Sequence, residues 1–304
     1  KLPTNSTESL GSFLFVVGGF ALIFIVASVY LSRRMALSSN DGAPNPLAPM
    51  LPVASAVLPF MLLNMATMQL PVPNPAPVFG LGLLLCVFLL GLARLAAAHV
   101  LSLAALLCTL ALEYIWHTHH FNKESPTQPL LWYLGFYALF AAFPFVFRKI
   151  FEKATLPWIA AAVAGFGTFG LVHRLIDQTW PNNMMGLLPA AFAIPSLLSL
   201  VAILKQHRED HSAPLSQLAW FGGVALFFIT LIFPIQLDRQ WLTISWALEG
   251  AALIWLFRRV PHPGLIGTGV VLLGVAFARL ALNPEVLGYY PRGVTAILNW
   301  HLYT

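Results

Sequence analysis

The chain has 304 residues, of which 59% are hydrophobic and only 9% charged, with a net charge of +5. A soluble domain carries about 25% charged residues, so this composition excludes a water-soluble fold. The basic residues stand at the ends of apolar runs, with no cluster interleaved by aromatics, which excludes nucleic acid as a partner and leaves membrane lipids.

A hydrocarbon core roughly 30 Å thick is spanned by about 20 apolar residues in a helix. In chain order the apolar runs predict spans at 11–31, 47–70, 77–93, 95–116, 129–147, 156–176, 186–204, 217–236, 240–257 and 264–282. There is room for the start of an eleventh near Val294. The expected fold is all-α: a polytopic transmembrane bundle of about ten spans, forming one integral membrane domain over residues 1–304. The first run is too long for a signal segment and lacks a small-residue cleavage site. A chain that opens at Lys1 and stops at Thr304 inside an apolar run is expected to be a piece of a longer protein.

The connections are short and rich in Pro, Asn, Gly and Ser, which predicts adjacent antiparallel helices. Orientation follows from Lys and Arg. With the first helix running inward, the inner connections hold Arg33, Arg34, Arg94, Arg148, Lys149, Lys153, Lys205, Arg208, Arg258 and Arg259. The outer side keeps Lys1, Lys123, Arg174, Arg239, Arg279 and Arg292. This alternation predicts an N-terminus that faces outward. Trp116, Trp132, Trp158, Trp180, Trp220, Trp241 and Trp255 fall near span ends, where interfacial belts are expected. The thiols of Cys86 and Cys108 fall at different depths and are not expected to pair.

Ionisable groups inside a bilayer cost about 2.5–3.5 kcal/mol on insertion scales and mark functional candidates. Glu249 stands near the middle of its span, with Ser245 and Trp246 on the same helix face. Arg279, on the next span, is its candidate partner. At 1.5 Å per residue, Glu249 lies about 13 Å from the outer end and Arg279 about 5 Å, so the arginine would have to reach inward. Glu249 is read either as a packing lock through hydrogen bonds or as part of a substrate or proton path. In both cases its side chain is expected to face the bundle interior. Arg174, Asp238 and Arg239 join these as candidates, because with His173, Asp177, Glu285, Arg292 and Glu113 they map to the outer third. There they would line a polar vestibule suited to an anionic or sugar-bearing ligand.

Metal and cofactor sites are not expected. His117, His119 and His120, with Glu113 one turn earlier, are the densest metal-like cluster, but adjacent histidines in a loop diverge. Met61, Met65 and Met68 form a one-sided stripe that is ordinary apolar filler before it is a copper site. His99 and His173 sit at opposite ends of their spans and do not make a haem pair. Small-residue patches at Gly165, Gly167 and Gly170, and at Gly264, Gly267, Gly269 and Gly274, predict close helix packing.

Pro234, Trp241, Thr243, Trp246, Ala247, Glu249 and Gly250 follow the pattern apolar-Pro … Trp-x-Thr … Trp-Ala-x-Glu-Gly. This segment resembles a family of large bacterial polytopic membrane proteins catalogued as domain of unknown function 2339, most clearly over residues 233–300. The resemblance implies a bacterial protein, often longer and with more helices; it implies no reaction, substrate or catalytic residue. The leading expectation is a transporter-like protein, or a membrane-complex subunit, that handles a polar or amphipathic envelope component from the outer face. An integral-membrane transferase acting on lipid-linked sugar or acyl groups is the first alternative. A purely structural subunit of a larger membrane complex is the second. The balance leans away from an enzyme.

Overall fold

A computed structural model describes residues 50–95, 98–152, 154–180, 184–206, 215–236, 241–258 and 263–282, with scattered helical positions between 16 and 30. Every regular element among the described residues is a helix: α1 (Met50–Gln69), α2 (Pro75–Leu95), α3 (Val100–His120), α4 (Thr127–Val146), the single turn α5 (Arg148–Phe151), α6 (Leu156–Thr179), α7 (Leu187–Gln206), α8 (Leu215–Gln236), α9 (Trp241–Phe257) and α10 (Pro263–Leu282). Each predicted span from the second to the tenth overlaps one of these. Seven, namely α2, α3, α4, α6, α7, α8 and α10, are long and apolar enough to cross a membrane. The first predicted span falls mostly outside the described residues, and the run near Val294 falls wholly outside them.

Proline and asparagine set several boundaries. Asn74 caps α2 by accepting the Ala76 N–H on its Oδ1 at 3.0 Å, with Pro75 at the first helical position, where no N–H is needed. Pro263 opens α10 at its first position, and Pro157 stands second in α6, where a missing N–H likewise costs no intrahelical bond. Inside α7, Pro195 does not end the helix, and Pro144 lies in the last turn of α4.

The helices group into two compact units, Lys1–Trp180 and Pro181–Thr304. In the first, α3 is the hub and packs against α1, α2, α4 and α6, while α4 packs chiefly on α6. Helices two apart in sequence thus share larger contacts than the consecutive pair α3 and α4, so a short link does not guarantee extensive packing here. Phe79 of α2 sits among Trp116, Trp132, Tyr133 and Phe136, with ring centroids 5.5–6.1 Å away, in the offset and edge-on geometries aromatic rings prefer.

Two of the expected interfacial tryptophans turn inward. Trp116 and Trp158 are 2% and 1% exposed, because each has an indole N–H with a backbone carbonyl to reach. Trp116 donates to Val72 and Trp158 to Phe151, both at 3.0 Å. Trp180, Trp220 and Trp255 are exposed, as a belt requires.

The second unit is made of two hairpins, α7 with α8 and α9 with α10. The Gly186 N–H donates to Gln236 Oε1 at 3.0 Å, tying the entry to α7 to the end of α8. Between α9 and α10 the backbones meet at Gly250 and Gly269. A Cβ built on Gly250 would stand 2.9 Å from the Gly269 carbonyl oxygen, and one on Gly269 would stand 2.9 Å from that of Gly250. The predicted small-residue contact is therefore made by this pair, whereas Gly267 and Gly274 have open space where a Cβ would go.

Candidate functional site

Glu249 lies midway along α9 and is 9% exposed. Its partner comes from the neighbouring helix: the Thr230 hydroxyl of α8 donates to Glu249 Oε1. The other carboxylate oxygen, Oε2, has no hydrogen-bond partner among the described residues. Thr230 Oγ1 is also 2.8 Å from the Leu226 carbonyl, one turn back on its own helix. A threonine hydroxyl carries one proton, so it cannot donate to both oxygens at once. Both contacts are satisfied together when Glu249 brings the second proton.

Ser245 is buried beside Glu249, and Trp246 is half-buried one turn away. Arg279 of α10 places its guanidinium carbon 6.0 Å from the centre of the Trp246 ring, at the outer limit of a cation–π contact. The contact described for Arg279 is therefore with Trp246, three residues before Glu249 on α9.

Thr230 and Trp246 also line a cavity of about 280 Å³ together with Phe227, Pro234, Thr268 and Leu272. Its walls are apolar apart from the two threonine hydroxyls. The volume is just under the roughly 300 Å³ at the lower end of ligand pockets, which suits one apolar chain or a small amphipath. Thr230 is the link: one residue both forms cavity wall and bonds the buried carboxyl.

The other sequence-derived candidates fall elsewhere. Arg174 is exposed on α6 of the first unit, where its charge is felt at Tyr114 and His117. Asp238 and Arg239 lie outside the described residues, as do Glu285 and Arg292. Glu113, expected on an open vestibule, is instead fully enclosed at 0% exposure. The reason is that α3 is the hub of its unit, enclosed by its contacts with α1, α2 and α6 and a smaller one with α4.

The three histidines are not in a loop, because α3 continues to His120. Their rings serve three separate partners. His117 Nδ1 is 3.2 Å from the Tyr133 hydroxyl, His119 Nδ1 is 2.9 Å from the Ile115 carbonyl, and His120 Nε2 is 2.7 Å from the Thr67 carbonyl. Met61, Met65 and Met68 are all at least half exposed on α1, so the stripe faces away from its unit. Cys86 and Cys108 are both free.

Sequence reasoning undervalued Glu113. The available signal was a run of Thr109, Glu113 and His117 at four-residue spacing inside an apolar helix, which puts all three on one face.

The family model described as "Predicted membrane protein (DUF2339)" matches residues 68–303. That match takes in every helix from α2 to α10, and with them both buried glutamates. No curated protein and no solved structure matches the chain.

Proposed function

This chain belongs to the family of membrane proteins defined by domain of unknown function 2339, and from that premise we propose a transporter-like protein, or the membrane subunit of a larger complex, that handles a polar or amphipathic envelope component from the outer face. The observation that carries this reading is the cavity of the second unit. An apolar chain would lie against Phe227, Pro234 and Leu272, which line it, while Thr230, on the same wall and bonded to the Glu249 carboxyl, would couple the occupant to that group. Arg279, beside Trp246, supplies the charge that would hold an anionic headgroup. A transferase would call for several carboxylates converging at one depth, whereas Glu249 is the one buried carboxylate described in this unit. In this proposal the chain forms about ten spans in a bacterial cytoplasmic membrane, with its N-terminus outward.

Native mass spectrometry of the protein released from nanodiscs made with a bacterial polar lipid extract tests the reading. The wild-type protein is expected to carry a bound amphipath that Thr268→Phe, which fills the cavity from its rim, excludes. Equal retention by both proteins, or none by the wild type, would overturn it.

A further inference from the structure

The first unit holds a second buried carboxyl, which the proposed ligand site does not use. Glu113 is 0% exposed and neither of its oxygens has a hydrogen-bond partner among the described residues. One turn further along α3, His117 is 4% exposed. Its Nδ1 faces the Tyr133 hydroxyl of α4 at 3.2 Å, and its Nε2 has no partner among the described residues. One turn before Glu113, Thr109 is buried, with Cys86 of α2 against it. Thr109, Glu113 and His117 therefore make a polar stripe down the enclosed face of the hub helix.

Purely structural polar groups at such depth are satisfied by neighbours, since each one left unpaired in hydrocarbon is costly. Here three side-chain atoms, both Glu113 oxygens and His117 Nε2, are left open along one helical turn. A transition metal does not account for them, because no group of three His, Cys, Asp or Glu that could hold a metal occurs among the described residues. A hard cation would want six or more oxygens, and the stripe offers few. The species that needs only one donor and one acceptor is a proton.

We propose that Glu113 and His117 form a proton-binding couple inside the first unit, loaded from the end of the bundle marked by Trp116 and His120. In the internal step the O–H bond of the Glu113 carboxylic acid breaks and an N–H bond forms at His117 Nε2, the proton passing through a water between the two groups because neither hydrogen-bonds the other, and a carboxylate and an imidazolium result. Tyr133 fits the tautomer this step needs when its hydroxyl oxygen accepts from His117 Nδ1–H, which leaves Nε2 as the proton acceptor. Water at the His120 end then takes up or returns the proton, and the end of α3 is only about 10 Å from Glu113 at 1.5 Å per residue.

The titratable and charged groups that act electrostatically on this couple are Cys86 from α2, Tyr133 from α4, Tyr114 on α3 itself and Arg174 from α6. Helix α1 carries no titratable residue along its length. Arg174 is the fixed positive charge among them.

The test is pH-difference infrared spectroscopy of the full chain in lipid vesicles. The wild type is expected to show a protonated-carboxyl carbonyl band that declines as pH rises, and Glu113→Gln is expected to remove it. His117→Gln keeps the carboxyl but should change the proton concentration at the midpoint by about tenfold or more, equivalent to one pH unit. Tyr133→Phe should move the midpoint in the same assay, and it carries the reading should Glu113→Gln fail to insert. A band that Glu113→Gln leaves in place would overturn the proposal. So would a band that stays constant across the pH range of the folded protein, or one whose midpoint is the same in wild type, His117→Gln and Tyr133→Phe.

Discussion

At Thr230 a single hydroxyl proton stands between the Leu226 carbonyl and the Glu249 carboxyl, so the two side chains are coupled whatever occupies the adjoining cavity. Thr230→Val keeps the shape and removes the hydroxyl, leaving both Glu249 oxygens without a partner. A buried polar group stripped of its partner costs about 1–3 kcal/mol. The expected outcome is a loss of that size in chemical unfolding in detergent. Glu249→Gln should lose much less, because the amide still bonds to Thr230. Equal destabilisation by the two variants would show that charge, not the hydrogen bond, is what the site holds. Spacing on the helix was enough to place Ser245, Trp246 and Glu249 on one face and to turn the carboxylate inward. Thr230 was not legible, because it comes from a different helix and nothing in its own neighbourhood distinguishes it from a threonine that merely bonds back to its helix.

Between elements, the α9–α10 contact is decided by two glycines whose backbones touch. A methyl group at Gly250 would lie 2.8 Å from Leu273 Cγ and 2.9 Å from the Gly269 carbonyl oxygen. The backbone cannot yield as a side chain can, so Gly250→Ala is expected to cost about 1–3 kcal/mol, the usual range for overpacking. Gly267→Ala meets nothing within 4 Å and should be neutral, or raise stability by up to about 1 kcal/mol through helix propensity. Thermal unfolding of both variants checks the pair, and a Gly250→Ala protein as stable as Gly267→Ala would count against the contact. The glycine-rich texture of both segments was visible in the sequence. Which glycine meets which was not, because that depends on the register and rotation of two helices against each other.

Across the first unit, the ends of the helices sort by charge. Arg94 lies 4.3 Å above the Phe147 ring, next to Arg148 and Lys149, and His99 meets Phe151 at the same end. At the opposite end the Val72 carbonyl receives Trp116, the Thr67 carbonyl receives His120, and Gln128 Nε2 donates to Asn74 Oδ1 at 3.2 Å. Cysteines introduced at Lys149 and His119 are therefore expected to react with an impermeant thiol reagent from opposite sides of a sealed vesicle. The lysine and arginine bias predicts that His119 is the one reached from outside. Labelling of both from one side would refute the topology.

Composition and the recurrence of apolar runs near twenty residues were sufficient, on their own, to establish a helical membrane protein. Hydrocarbon leaves a chain few ways to satisfy its backbone, so span length and charge placement carry most of the fold class. The family was also legible, from the Trp-Ala-x-Glu-Gly segment that carries Glu249. What only the tertiary structure decided is which buried groups stand alone. Glu113 was set among outer residues by its depth along one helix, yet burial depends on which neighbours surround that helix, and α3 packs extensively against α1, α2 and α6 at once. Hydropathy reads each span against the bilayer and carries no information about which span lies at the centre. That choice rests on complementary packing between distant segments, and it turned an ordinary helix-end glutamate into the most enclosed charge-bearing group described in the chain.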